Sequence, residues 1–313
     1  MRCCVPMRRA RSLPERIQRR TVSGFRPTRF AASGTVSIVV TCYSIVHVPP
    51  THGERRYRAG VGGSIAVGTS GWSYDDWAGA FYPEGLPRSR WFEHYVTRFP
   101  TVEVNATFYR LPSEAMVRRW RELAPPGFRF VVKGSRVITH LRRLEGCEEE
   151  LGRFLERVRG LGPSLRVILW QLPPSLHLDV PRLERFLALL RREAPDVRHA
   201  VELRHPSWLV EGAFAALRAH GAAHVAVSST RMPRDLRVTT DLVYARFHGL
   251  GGGYAHDYSA EELAPWVAFL REAHARGLEG YAFFNNDARA RAPKNAAELI
   301  RALGPAAAPW PAA

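Results

Sequence analysis

Glu103, Asn105 and Thr107 alternate with their neighbours along the chain, as do Val131, Lys133 and Ser135, then Glu202 and Arg204, then Tyr244, Arg246 and His248. In an extended strand, residues two apart share a face. Each of these strings therefore turns its polar members to one side, and Gln171 and Asn285 end two further apolar runs. Burying a polar group without a partner is costly, so packing alone would not end six apolar runs in amides and charges. The residue types suit a site: Glu103, Glu202 and His248 for proton transfer, Lys133, Arg204 and Arg246 for an anion or oxyanion, and Asn105, Gln171 and Asn285 as orienting donors. Three cations against two carboxylates favour a ligand that carries negative charge. The plainer alternative is that Glu103 and Glu202 simply pair with Lys133, Arg204 or Arg246 as structural ions.

Other chemistries are weaker. Two carboxylates three strands apart could serve glycosidic acid/base work, but Lys133 and Arg204 beside them would depress their pKa values, and a general acid needs one raised. His248, Glu103, Glu202 and Asp287 could bind a divalent ion, yet no local ligand spacing supports it, so no metal site is expected. Gly249, Gly251, Gly252 and Gly253 follow an apolar run, where a phosphate can meet backbone N–H groups, although glycines after a strand are more often a simple turn or a mobile lid. Trp72, Tyr74, Trp77, Phe81, Tyr82, Phe108, Tyr109, Trp170 and Trp208 gather near strand ends, either to stack on a sugar or base or to pack the rim. His140 and His205 are ambiguous in the same way.

The elements that must position these groups are legible from periodicity. Short runs rich in β-branched and aromatic residues fall at 64–72, 102–109, 128–135, 166–172, 199–204, 224–228, 242–248 and 281–286. Helix-patterned stretches fall at 90–99, 114–123, 149–158, 183–193, 213–219, 261–275 and 295–303. Ser113, and Ser259 with Glu262, are helix-start signals. Eight strands alternating with helices over roughly 250 residues predict an α/β fold, a single (β/α)8 TIM-type barrel over 61–305 with its site at the C-terminal strand ends. The segment 230–240 is too short and too rich in Arg, Pro and Asp for a crossover helix. A doubly wound open sheet is the alternative, disfavoured because no G-x-G-x-x-G follows a strand; no cofactor is implied.

The formal charge of +16 comes from 45 basic and 29 acidic residues among 313. Residues 1–60 carry twelve arginines against Glu15 and Glu54, so most of the excess lies there. That segment reads as a basic extension, disordered or mis-started, and 306–313 as a Pro/Ala-rich tail. What remains does not by itself imply nucleic acid. Cys3, Cys4 and Cys42 lie in the extension and only Cys147 in the body, which suits a reducing cytoplasm. The longest apolar run, 36–48, is too short and too polar to span a bilayer.

The strand-end strings GTSGWSYDDW with FYP, VEVNATFYRLP, VVKGSRVITH, WQLPP, VELRHPSW, ARFHG and FFNND with a trailing KNA resemble, in order, the family known as domain of unknown function seventy-two, the YecE-like proteins. The resemblance covers 65 to about 303. It implies a TIM-type barrel in a bacterial or archaeal cytosolic protein, with characteristic positions at Glu103, Asn105, Lys133, Gln171, Glu202, Arg204, His205, Arg246, His248, Asn285 and Asn286. The glycine-rich stretch after His248 departs from the more polar loop expected there. Together these readings predict an enzyme, a hydrolase or a sugar isomerase-like lyase or isomerase, acting on a small anionic or carbohydrate-like substrate. Glu103, Glu202, His248 and Lys133 are its expected catalytic groups. Asn105, Gln171, Arg204, His205, Arg246, Asn285, Asn286 and Trp72 are expected to bind substrate. A nucleic-acid-binding or nuclease barrel, or a non-catalytic metabolite-binding module, is the alternative.

Overall fold

A computed structural model describes residues 63–310 of the protein. The basic segment 1–60 with Cys3, Cys4 and Cys42, and residues 311–313 of the tail, lie outside the described residues.

Eight strands form one parallel sheet: β1 Ile65–Thr69, β2 Thr101–Val104, β3 Arg129–Lys133, β4 Leu165–Gln171, β5 Arg198–Glu202, β6 Ala222–Ser228, β7 Leu242–Phe247 and β8 Glu279–Phe284. Their spatial order is β1-β8-β7-β6-β5-β4-β3-β2. The helices are α1 Trp91–Val96, α2 Ala106–Tyr109, α3 Glu114–Leu123, α4 Glu148–Val158, α5 Val180–Glu193, α6 Glu211–Ala219, α7 Ala260–Ala275 and α8 Arg291–Leu303. This is the expected α/β barrel. Ser113 caps α3 by accepting from the Met116 amide at 3.2 Å, and Ser259 with Glu262 closes a capping box on α7.

Alternation along the strands separates two apolar sets. Ala66, Val131, Val167, Leu169, Ala200, Val225 and Phe283 fill the barrel interior. Val67, Val104, Phe130, Val132, Ile168 and Trp170 face the helices and join the larger core there. Strands buried on both faces read as near-continuous apolar runs, which is why the pattern is visible in the sequence.

The barrel closes between β1 and β2 by a single bridge, Ser70 to Glu103, with the Gly71 amide donating to the Glu103 carbonyl at 2.8 Å. Below that bridge Tyr95 supplies what the ladder lacks. Its hydroxyl accepts from the Thr69 amide and donates to the Thr101 carbonyl, each at 3.0 Å. A side chain at Gly68 would stand 2.2 Å from the Thr101 carbonyl oxygen, so only glycine lets the two strands approach this closely.

Two strands stop earlier than the sequence suggested. The apolar run after β2 continues into α2, where the Thr107 hydroxyl donates to the carbonyls of Val104 (2.9 Å) and Lys133 (2.7 Å). Ser135 leaves the β3 face and caps a π-helical turn, Val137–Leu141, by accepting from the Val137 amide at 3.2 Å. Between β6 and β7 there is no helix, as the composition of 230–240 required. Thr239 ties that segment back to β6, accepting from the His224 amide and donating to the Ala222 carbonyl, each at 2.8 Å. Among the described residues no helix is long and apolar enough to cross a membrane.

Candidate active site

At the C-terminal end of the barrel the inward side chains form a charged floor. Arg246 on β7 is fully buried between two fully buried carboxylates. It grips Glu103 with two parallel bonds, Nε to Oε2 at 2.9 Å and Nη2 to Oε1 at 2.6 Å. Its Nη1 donates to Glu202 Oε2, and to Gln171 Oε1 at 3.2 Å. Ser70 donates to Glu103 Oε1 at 2.6 Å, and the Tyr244 hydroxyl to Oε2. Every strong acceptor site of Glu103 is thus occupied within the protein. Burial opposes the charge on Arg246, but Glu103 and Glu202 outweigh it and raise its pKa. Burial alone would likewise raise the Glu202 carboxyl; Arg246, His248 and Arg204 overcome that and hold it well below the usual range.

His248 and Arg204 stand on this floor. Glu202 Oε1 takes the Arg204 Nη1 at 2.7 Å and His248 Nε2 at 3.0 Å. Asn285 Nδ2 donates to His248 Nδ1 at 3.2 Å, and Asn105 Nδ2 to Asn285 Oδ1 at 3.4 Å. Nε2 also lies 3.3 Å from Arg204 Nη1 and from Arg246 Nη1; the shorter contact to Glu202, with the Asn285 amide on Nδ1, fits the neutral tautomer with its proton on Nε2. Burial lowers the His248 pKa, and the pull of Glu202 does not restore it.

Above the floor opens a cavity of about 930 Å³. Lys133, Arg136, Arg204 and Arg231 line it, with Asp287 the one carboxylate on its wall. Tyr74, Phe108, Tyr109, Tyr254 and His140 supply aromatic surface, and Asn105, Gln171, His248 and Asn285 complete the polar lining. Burial chiefly, then Arg246, pulls Lys133 down to about 8. Burial, then Lys133, lowers His140 to about 4. The Asp287 carboxyl is raised, first by burial, and Asp76 adds to the effect.

Residues 66–313 match the family described as "Protein of unknown function DUF72". The chain belongs to the DUF72 family. It is 24% identical to the UPF0759 protein YunF of Bacillus subtilis over 270 residues, covering 76% of this chain and 94% of that protein. With the UPF0759 protein YecE of Escherichia coli K12 it shares 33% identity over 149 residues, 47% of this chain and 51% of that one. The crystal structure of a DUF72 family protein (TM1631) from Thermotoga maritima superposes with a TM-score of 0.70 at 34% identity, covering 77% of this chain and 99% of that one.

The DUF72 strings do not all reach the cavity. Glu103, Glu202 and Arg246 lie beneath it, so the expectation that Glu103 and Arg246 meet a ligand directly gives way to the structural-ion arrangement. His205 caps a 3₁₀ turn, Pro206–Trp208, accepting from the Ser207 amide at 3.2 Å, and stacks on His177 with ring centres 3.9 Å apart. Asn286 is fully buried and donates to the His256 carbonyl (2.7 Å) and Asn295 Oδ1 (2.8 Å), tying the β8 end to α8. Trp72 packs on Phe92 and Trp120. None of these three lines the cavity.

The glycine-rich loop also folds on itself. The Gly249 amide donates to the Tyr258 hydroxyl at 3.0 Å and the Gly253 amide to the Leu250 carbonyl at 2.9 Å, so neither is free to hold a phosphate. Gly249 has φ +82°, and a side chain there would strike the Gly253 carbonyl, which explains why glycine occupies this turn. His248, Glu103, Glu202 and Asp287 do not gather as metal ligands; among the described residues no three His, Cys, Asp or Glu side chains do. Reading the strand ends does not reach Arg136, which heads the π-helical turn, Arg231 on the connection from β6 to β7, or Tyr254 in the 3₁₀ turn Gly253–Ala255. Asp287, two positions after Asn285, was weighed only as a metal ligand.

Proposed function

We propose that this cavity takes a small anionic, carbohydrate-like molecule and that the protein is an enzyme transferring protons on it. The observation that carries this reading is the imbalance of the wall among the described residues, where Lys133, Arg136 and Arg231 face Asp287 while Arg204 is paired with Glu202 beneath it. The buried acids Glu103 and Glu202 are engaged by Arg246 and Arg204. A phosphate or carboxylate on the ligand would satisfy the guanidiniums with paired hydrogen bonds. Hydroxyls would meet Asn105 and the amide nitrogen of Gln171, whose oxygen is held by Arg246.

For proton transfer the cavity offers an acid and a base whose environments shift them in opposite directions and so bring their pKa values closer together. Burial raises Asp287 toward holding its proton. Burial keeps His248 neutral, with its Nδ1 lone pair covered by the Asn285 amide. A ligand oxygen that draws that amide away exposes the base. Glu202 is a positioning residue, because it acts through the Nε2 proton of His248.

The experiment is a thermal-shift screen of the full chain against sugar phosphates, sugar acids, nucleotides, simple carboxylates and uncharged sugars. A ligand that binds only the folded state raises its melting temperature by mass action. The reading expects shifts from anionic sugars, lost in Arg204→Ala. Shifts from uncharged sugars alone, or equal shifts in Arg204→Ala, would overturn it.

A further inference from the structure

Of the 45 basic residues in the chain, only Lys133 and Lys294 are lysines; every other cation is an arginine. Where positive charge alone is wanted, this sequence uses a guanidinium. The two lysines differ sharply in setting. Lys294 on α8 is half-exposed and paired, its Nζ 2.8 Å from both Asp257 oxygens and 3.4 Å from Glu298. Lys133 ends β3, is 7% exposed, and lines the cavity. Its Nζ lies 4.2 Å from the centre of the Phe108 ring and makes no hydrogen bond or ion pair among the described residues.

Its backbone is fixed on both sides. The Thr107 hydroxyl holds the Lys133 carbonyl at 2.7 Å. A side chain on Gly134 would stand 2.3 Å from the Trp170 ring, so the chain lies hard against that indole. The amine is thus aimed from a rigid strand end, against an aromatic face and beside other cations, which are the surroundings that make a lysine nucleophilic.

We propose that Lys133 is a covalent catalytic residue whose amine forms a Schiff base with the carbonyl group of an anionic substrate. The inference rests on the reading of the cavity as an anion site, with Arg136, Arg204 and Arg231 holding the negative group and Lys133 left for chemistry. The Nζ lone pair attacks the carbonyl carbon, the C=O π pair moves to oxygen, and that oxygen takes a proton to give a carbinolamine. Nitrogen gives up one proton at this stage; a second proton on the hydroxyl lets it depart as water while the nitrogen lone pair forms the C=N bond of an iminium, which loses the second N–H proton to give the imine. The sum is amine plus carbonyl giving imine plus water, with no oxidant or reductant. The imine acidifies the adjacent C–H, and His248 lines the same cavity to accept that proton. An arginine could not do this, since its guanidinium stays protonated.

Free amine is available for the attack. Burial, then Arg246, lowers its pKa to about 8, so far more of the amine is uncharged near neutral pH than in an ordinary lysine.

The test uses pyridoxal 5′-phosphate as an anionic aldehyde and pyridoxal as its uncharged counterpart, each at limiting concentration with the full chain. Imines are reduced by borohydride and mapped by peptide mass spectrometry. Lys133 should label at least about tenfold faster than Lys294. Lys294→Arg should retain labelling on the peptide that carries Lys133, distinguished by mass from any on the N-terminal amine, and Lys133→Met should lose it while keeping its cooperative unfolding. Labelling of Lys133 no faster than of Lys294 overturns the covalent role and leaves the anion reading standing if inorganic phosphate still shifts the melting temperature. Equal labelling of Lys133 by both aldehydes keeps the nucleophile but overturns the anion anchor.

Discussion

Arg246 and Glu103 meet fork to fork at the centre of the barrel, two parallel bonds of 2.9 and 2.6 Å between fully buried groups. The same guanidinium serves Glu202, so removing it leaves the buried Glu103 with no cation and Glu202 with Arg204 and His248 only. Arg246→Ala should therefore cost about 3–5 kcal/mol, the loss typical when one partner of a buried pair is deleted. Urea denaturation followed by tryptophan fluorescence measures it. A loss under about 1 kcal/mol would show that the floor is not the enclosed network described.

Tyr95→Phe removes one oxygen from the seam between β1 and β2. The Thr69 amide and the Thr101 carbonyl then lose their shared partner inside the protein. The expected destabilisation is about 1–3 kcal/mol, the cost of leaving a buried polar group unmade. Amide hydrogen exchange should place the loss at this seam, with faster exchange at Thr69 and little change on β4 and β5.

His199 sets part of the pH dependence. Its Nδ1 accepts from the Trp170 indole at 3.2 Å and its Nε2 donates to the Ala194 carbonyl at 3.1 Å, so it is held neutral, and burial lowers its pKa to about 4. The unfolded chain binds this proton near about 6.5 and the folded one does not. Its contribution is therefore complete above pH 6.5 and is lost as pH falls toward 4. Glu202, held below the usual carboxylate range, adds a second loss below about pH 4.3. Stability measured in urea from pH 8 to 4 should fall through the first window, and His199→Gln should flatten it. An unchanged slope in the variant would assign the window to other groups.

The barrel was legible because its signals are local. Trp170 and its neighbours on β4 are apolar on both faces, and the Ser259–Glu262 box needs only four residues to be read. The end of β2 was not, because Phe108 and Tyr109 continue a strand-like composition into a helical turn that only the Thr107 bonds reveal. At the site, Asn105, Lys133, Gln171, Arg204, His248 and Asn285, which strand register turns to one face, line the cavity. Register cannot separate the floor from the wall, because depth depends on where neighbouring strands end, so Glu103 and Arg246 were placed too high. Arg136 and Arg231 follow no period at all, being set by loop paths.

His205 shows the same limit from the other side. Its adjacency to Arg204 suggested a ligand contact, but φ −132° and ψ 136° turn it to cap Ser207 and stack on His177. His205→Ala should leave ligand shifts unchanged and cost about 1 kcal/mol from the lost cap. Loss of ligand binding in a variant that still unfolds cooperatively would return His205 to the site.

Lys133, Arg136 and Arg231 stand above a floor in which Arg246 and Arg204 balance Glu103 and Glu202, and they should hold the ligand's negative group. The most direct measurement is calorimetric titration of the strongest anionic sugar from the thermal-shift screen, into the protein and into the Arg136→Ala/Arg231→Ala double variant. Both arginines are exposed and neither pairs with Glu103 or Glu202, so folding should be unaffected. The account predicts at least about tenfold weaker binding in the double variant, about 1.4 kcal/mol, and a salt dependence that flattens with it. Equal affinity and equal salt dependence in the two proteins would contradict it.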